Sequence, residues 1–149
     1  MDLENVRKGD LVKISVPATY AMLSLIIKIF ETLVYKFEFI GEAENEIVSS
    51  LVEAYNNCIE HGYDGENSEK SVDIEFLVEN RILKIRITDY GIGFKKEEYV
   101  EYKPDRKEDI FRFRGRGIFL MKNFMDTFEI TLSPEGGSIV EMEINFSES

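Results

Sequence analysis

Glu53, Asn57 and His61 stand at four-residue spacing within the run Glu53-Ala-Tyr-Asn-Asn-Cys-Ile-Glu-His-Gly-Tyr63. On a helix that spacing puts a carboxylate, a carboxamide and an imidazole in one line. The line flanks an apolar stripe of Leu51, Ala54 and Cys58, which places it at the edge of a core. A carboxylate there can take a proton. A neutral amide oxygen suits Mg²⁺, which binds few protein oxygens alongside phosphates. The plainer alternative is a solvated helix face whose His61 helps to close the C-terminus.

A second group is Asp89-Tyr-Gly91-Ile-Gly93-Phe94. A carboxylate at a strand end can accept from an exocyclic amine, and glycines let a flat ring lie against the backbone. An ordinary tight turn uses the same residues. No helix opens at Gly93 and no βαβ unit surrounds it, so it is not a dinucleotide fingerprint. The third group is Arg112-Phe-Arg114-Gly115-Arg116-Gly117. Glycines that bare backbone N–H groups where a helix begins make an anion site, which arginines reinforce. Residues 95–116 hold eight basic and six acidic side chains, whereas the rest of the chain holds ten and 23. Positive charge is thus gathered beside the glycine turn. For Lys95, Lys96, Lys103, Arg106 and Lys107 a solvated mixed-charge loop is the simpler account. Taken in order, the three groups describe one nucleotide site: metal and base from a helix, an adenine seat at a strand end, and phosphates at a helix N-terminus.

The elements that must carry these groups follow from periodicity. Leu11 to Val16 alternates with Val12, Ile14 and Val16 on one face, and Pro17 is expected to end that strand. From about Thr19 the spacing of Leu23, Ile26, Ile27, Phe30, Leu33 and Val34 is helical. A second helix is expected over roughly Ala43 to His61, with Ile47, Leu51, Ala54 and Cys58 buried and Gly62 as its stop. Val72, Ile74, Phe76 and Val78 alternate, as do Leu83, Ile85 and Ile87, with a turn at Glu79-Asn80. Residues 95–114 carry neither period. A third helix is expected over about Gly117 to Met125, then strands through Phe128–Leu132 and Val140–Phe146 around the turn Ser133–Gly137. The order β-α-α-β-β-loop-α-β-β clusters strands as hairpins. The expected fold is α+β, a two-layer α/β sandwich whose mixed or antiparallel sheet carries its helices on one face.

The chain has 149 residues, 44% of them apolar and 12% aromatic, which fits a single folded domain over 1–149. Its net charge of −11 argues against nucleic acid or an anionic membrane as partner. The lone Cys58 excludes an internal disulfide and reads as a reducing, cytoplasmic setting. Neither a signal peptide nor a membrane-spanning apolar stretch is expected.

Glu-Ala-x-x-Asn-x-x-x-His-Gly-Tyr from Glu53 to Tyr63, followed by Asp-x-Gly-x-Gly from Asp89 to Gly93, resembles the histidine-kinase-like ATPase superfamily of gyrase B and heat-shock-protein-90-type ATPases. More narrowly, Gly115-Arg-Gly117-Ile-Phe-Leu-Met-Lys-Asn-Phe-Met-Asp126 makes the chain similar to the anti-sigma-factor serine/threonine kinases of bacterial partner-switching systems. The resemblance spans nearly the whole chain. It implies that Asn57 holds Mg²⁺ against the triphosphate of ATP, that Glu53 is the general base, and that His61 belongs to the nucleotide motif. Asp89 would accept from the adenine amino group, with Gly91 and Gly93 shaping the pocket. Gly115 and Gly117 would contact phosphates beneath a lid of residues 95–114, from which Arg112 or Arg114 meets the γ-phosphate. Ser138 stands where the family often has a threonine near the adenine-binding carboxylate. The implied substrate is an anti-anti-sigma-like protein, the second partner a sigma factor or similar regulator, and the implied assembly a homodimer. The alternative is a nucleotide-dependent binding module that sequesters a partner without phosphoryl transfer. A sensor histidine kinase is disfavoured, because the sole histidine lies in the nucleotide motif and no coiled coil precedes it.

Overall fold

Alternating β-branched and charged residues build five strands in the computed structural model, which describes residues 5–38, 44–91, 126–132 and 136–146. The elements are β1 (Leu11–Ala18), a 3₁₀ turn (Tyr20–Met22), α1 (Leu23–Lys36), α2 (Glu44–Asn57), a π turn (Cys58–Gly62), β2 (Asn67–Glu79), β3 (Ile82–Asp89), β4 (Thr127–Leu132) and β5 (Ser138–Asn145). The third helix expected over 117–125 and the irregular segment 95–114 lie outside the described residues.

The strands form one sheet in the order β1-β2-β3-β5-β4, with every neighbouring pair antiparallel. Period-two side chains give that sheet one apolar face: Val12 and Val16 from β1, Ile74 and Phe76 from β2, Ile85 and Ile87 from β3, Val140 and Met142 from β5. Both described helices cover this face. Phe30 and Leu33 of α1, and Ile47, Leu51 and Ala54 of α2, belong to the same core. The expected α+β sandwich is the observed one. The other face carries Lys13, Glu75, Lys84, Arg86, Glu141 and Glu143 in ion pairs of 3.5–4.0 Å. Pairs this exposed contribute at most about 1 kcal/mol each.

Three boundaries differ from expectation, each for a local reason. Pro17 does not end β1. The strand continues to Ala18 because β1 pairs only with β2, so the missing N–H falls on an edge, and the register slips between Pro17 and Ala18. The β2–β3 hairpin turns at Asn80-Arg81, one residue later than expected, with Glu79 opposite Ile82. Asn80 takes φ of 54°, a left-handed conformation that asparagine tolerates better than most residues. The second helix does not stay α-helical to His61. Its last turn widens to a π turn, in which the Tyr63 N–H reaches the Cys58 carbonyl at 3.2 Å.

Tyr55 ties α2 to the start of the helical layer. It is fully buried, and its phenol donates toward the carbonyls of Thr19 (2.7 Å) and Pro17 (3.0 Å). Burial, the chief cause, pushes its pKa up to about 12. The backbone N–H of Tyr20 donates to Glu66 at 2.8 Å, and its hydroxyl to Glu60 at 3.3 Å. The chain entering α1 is therefore pinned to the chain leaving α2. No helix among the described residues is long and apolar enough to cross a membrane.

Candidate nucleotide site

Asp89 is the last residue of β3 and is only 1% exposed. Register decides what it meets, since β3 lies between β2 and β5 with Asp89 opposite Val72 on one side and Ser138 on the other. Ser138, wholly buried, donates its hydroxyl to Asp89 Oδ2 at 2.5 Å, and the Gly91 N–H donates to Oδ1 at 3.2 Å. A carboxylate burial this deep is tolerated because both oxygens are engaged. Two oxygens offer about four acceptor positions, so room for a further donor such as an amino group remains.

Three glycines pack tightly at this point, of which Gly62 faces the carboxylate itself. A Cβ on Gly62 would stand 2.7 Å from both Asp89 Cγ and Oδ1. One on Gly137, which has φ of +90°, would run into the Asp89 carbonyl. One on Gly91 would overlap the Gly62 carbonyl, so glycine at position 91 answers first to a close approach of two backbone segments. The end of the π turn, the end of β3 and the start of β5 thus meet at one point. Beside it opens a cavity of about 490 Å³ lined by Gly62, Tyr63, Asp64, Asn67, Lys70, Tyr90 and Gly91.

Of the helix residues, Asn57 is buried at 6% exposure and Glu53 is half-buried one turn earlier on α2. Asn57 precedes Gly62, the residue that touches the Asp89 carboxylate, by five positions. His61 is exposed, since the π turn rotates it off the line that Glu53 and Asn57 define. Gly93, Arg112, Arg114, Gly115 and Gly117 lie outside the described residues.

Several residues here escaped sequence reasoning. Gly62 stands in the sequence as a helix stop and as part of the Glu53–Tyr63 motif without an assigned role, and nothing marks Gly137 as more than a turn residue. Tyr63, half-buried, donates to the Ser71 carbonyl at 2.5 Å and accepts the Tyr90 N–H at 2.7 Å. Burial, ahead of the opposing Tyr90 bond, pushes its pKa up. Tyr90 donates its own hydroxyl to Asp73, which is 7% exposed and has Lys13 at 3.8 Å. That bond, ahead of partial burial, pushes the Tyr90 phenol up to about 12. A tyrosine in each of the two motifs is the available signal, but only the β2–β3 register says what they reach.

Residues 16–144 match the family model described as the histidine kinase-like ATPase domain. The chain belongs to this family. Its relatives include the anti-sigma F factor of Bacillus subtilis, 33% identical over 104 residues that make up 70% of each chain. They also include the serine-protein kinase RsbW of Staphylococcus aureus, 30% identical over 142 residues, which is 91% of this chain and 86% of that one. A chain of the SiaB–SiaC complex from Pseudomonas aeruginosa shares the fold, with a TM-score of 0.68 at 8% identity over 89% of this chain and 88% of that chain. The family membership and this shared fold agree with the architecture expected from the hairpin-clustered strands.

Proposed function

We propose that the chain is a serine/threonine protein kinase that uses ATP and Mg²⁺ and acts as an anti-sigma factor in a partner switch. Membership of the histidine kinase-like ATPase family, together with relatives named as a serine-protein kinase and as an anti-sigma factor, supports this reading. The observation on the site itself that carries it is the buried Asp89 carboxylate, held by Ser138 and the Gly91 N–H with Gly62 packed against it. A buried acceptor with spare capacity, next to a cavity of about 490 Å³, suits the amino edge of adenine.

Among the described residues no group of three or more His, Cys, Asp and Glu side chains converges to cage a metal. Mg²⁺ held by one carboxamide and by nucleotide phosphates needs no such cage, and Asn57 would be that carboxamide. Bound Mg²⁺ supplies charge compensation at the triphosphate. Glu53, one turn before Asn57, would accept the proton of a serine or threonine hydroxyl on the substrate protein as that oxygen attacks the γ-phosphorus and the bond to the β–γ bridging oxygen breaks, releasing ADP. Gly115 and Gly117 present backbone N–H groups to phosphates, and Arg112 or Arg114 offsets charge on the γ-phosphate. His61 and Gly93 complete the two nucleotide motifs. The substrate is an anti-anti-sigma-like protein, and a sigma factor or similar regulator is the partner held inactive. The working assembly is a homodimer of a single-domain chain in the cytoplasm. A binding module without phosphoryl transfer is not favoured, since pure binding needs no base at Glu53 and a relative is named as a kinase.

The deciding experiment captures partners from native extract with and without ATP and follows γ-phosphate onto them. Glu53→Gln should keep ATP affinity within about twofold and lower transfer by at least 100-fold, the usual scale of general-base loss. A variant that transfers phosphate at the wild-type rate removes Glu53 from the role.

A further inference from the structure

The Tyr63 phenol bonds to two separate stretches of backbone beside the Asp89 seat. Its O–H donates to the Ser71 carbonyl of β2 at 2.5 Å, and its oxygen accepts the N–H of Tyr90, the residue after Asp89, at 2.7 Å. Tyr63 follows Gly62, whose α-carbon faces the Asp89 carboxylate, and Gly91 lies against the Gly62 carbonyl. One hydroxyl therefore joins the end of the π turn, the start of the long β2 strand and the segment leaving β3. Tyr90 is clamped a second time through its own hydroxyl on Asp73.

We propose that Tyr63 is a positioning residue for adenine recognition: its hydroxyl fixes the Asp89–Gly91 segment so that the Asp89 carboxylate stands ready for the amino group of the base. The inference rests on the adenine reading of Asp89 given above. Two hydrogen bonds on one oxygen leave that oxygen no freedom to follow a shifting partner. Loss of the hydroxyl leaves the Tyr90 N–H and Ser71 carbonyl without these bonds, and the carboxylate must then be ordered by the nucleotide itself. The consequence is specific to the amino group. A purine triphosphate without it gains little from a well-placed carboxylate and so loses little when placement slackens.

The test is calorimetric titration of wild type, Tyr63→Phe and Tyr90→Phe with ATP and with inosine triphosphate, which lacks the exocyclic amine. Tyr63→Phe should raise Kd for ATP about five- to twentyfold, the scale of one to two net hydrogen bonds, and change Kd for inosine triphosphate less than twofold. Tyr90→Phe keeps its backbone N–H on Tyr63 and should shift the ratio of the two affinities by less than Tyr63→Phe does. An unchanged ATP-to-inosine ratio in Tyr63→Phe overturns the proposal, whatever happens to melting temperature, because a purely structural tyrosine would lower stability and leave the ratio alone. Wild type that binds both nucleotides equally overturns the adenine reading of Asp89 first, and this inference with it. Should Tyr63→Phe not fold, amide exchange on wild type decides. The Tyr90 N–H must exchange slowly and slow further with ATP but not with inosine triphosphate, and fast exchange or an equal response to both refutes it.

Discussion

A single methyl group at Gly62 sets two effects of opposite sign against each other. Gly62 does not use the left-handed backbone region, so alanine meets no conformational penalty there. On helix propensity alone Gly62→Ala should stabilise the end of the π turn by up to about 1 kcal/mol. Against this, the new Cβ would lie 2.7 Å from Asp89 Cγ and Oδ1 and 3.1 Å from Oδ2. Ordinary carbon contacts are about 3.5–4.0 Å, so the carboxylate must retreat by roughly 0.8 Å or more. The retreat strains the 2.5 Å bond from Ser138 and carries the 3.2 Å bond from Gly91 beyond useful range if it moves that way. Each is a hydrogen bond to a charged, buried acceptor, worth about 1.5–3 kcal/mol. Loss of even one outweighs the propensity gain.

Gly62→Ala is therefore expected to be less stable than wild type by about 1–2 kcal/mol in urea unfolding without nucleotide. Its ATP affinity should fall by about tenfold or more, since the group that reads the base has moved. Two curves suffice: urea denaturation monitored by circular dichroism, and an ATP titration of the folded variant. A variant as stable as wild type, with unchanged ATP affinity, would show that the carboxylate has room to yield and that the glycine seat is not what fixes Asp89.

Other outcomes follow from the same contacts. Tyr55→Phe removes the phenol donor from the Thr19 and Pro17 carbonyls, which keep the backbone N–H groups of Met22 and Thr19, and should cost about 0.5–1.5 kcal/mol in urea unfolding while ATP affinity changes little. Asn57→Ala should weaken Mg²⁺-ATP at least tenfold more than it weakens metal-free ATP in paired titrations, and an equal loss would place the metal elsewhere. Tyr55 and Tyr90 both have folded pKa values near 12 against 10 unfolded. The folded state holds these protons more tightly, so the stability they carry is complete below pH 10 and is lost as pH rises from about 10 to 12. Ultraviolet titration of phenolate should show two tyrosines ionising about two pH units late, and Tyr90→Phe should remove one of them.

What the sequence disclosed and what it withheld divide along a physical line. Ile47, Leu51, Ala54 and Cys58 are all buried as their helical spacing requires, and Val72, Ile74, Phe76 and Val78 as period two requires. Those are statements about one element facing one core, and a local pattern contains them. The site is otherwise. Asp89 and Ser138 were each nameable from motif and resemblance, but the hydrogen bond between residues 49 apart exists because β3 and β5 are neighbours in a particular register. Gly62 sits at a helix end and inside the Glu53–Tyr63 motif, yet neither fact says that it packs on a carboxylate 27 positions away. The π turn was hidden for a related reason: Cys58 and Ile59 are equally suitable for an α-helix, and the extra residue per turn is selected only by where Tyr63 must end up, with its hydroxyl between Ser71 and Tyr90. Local periodicity therefore specifies which residues are inside, while the positions of reacting and reading groups are decided by strand order and by backbone segments close enough that only glycine fits between them.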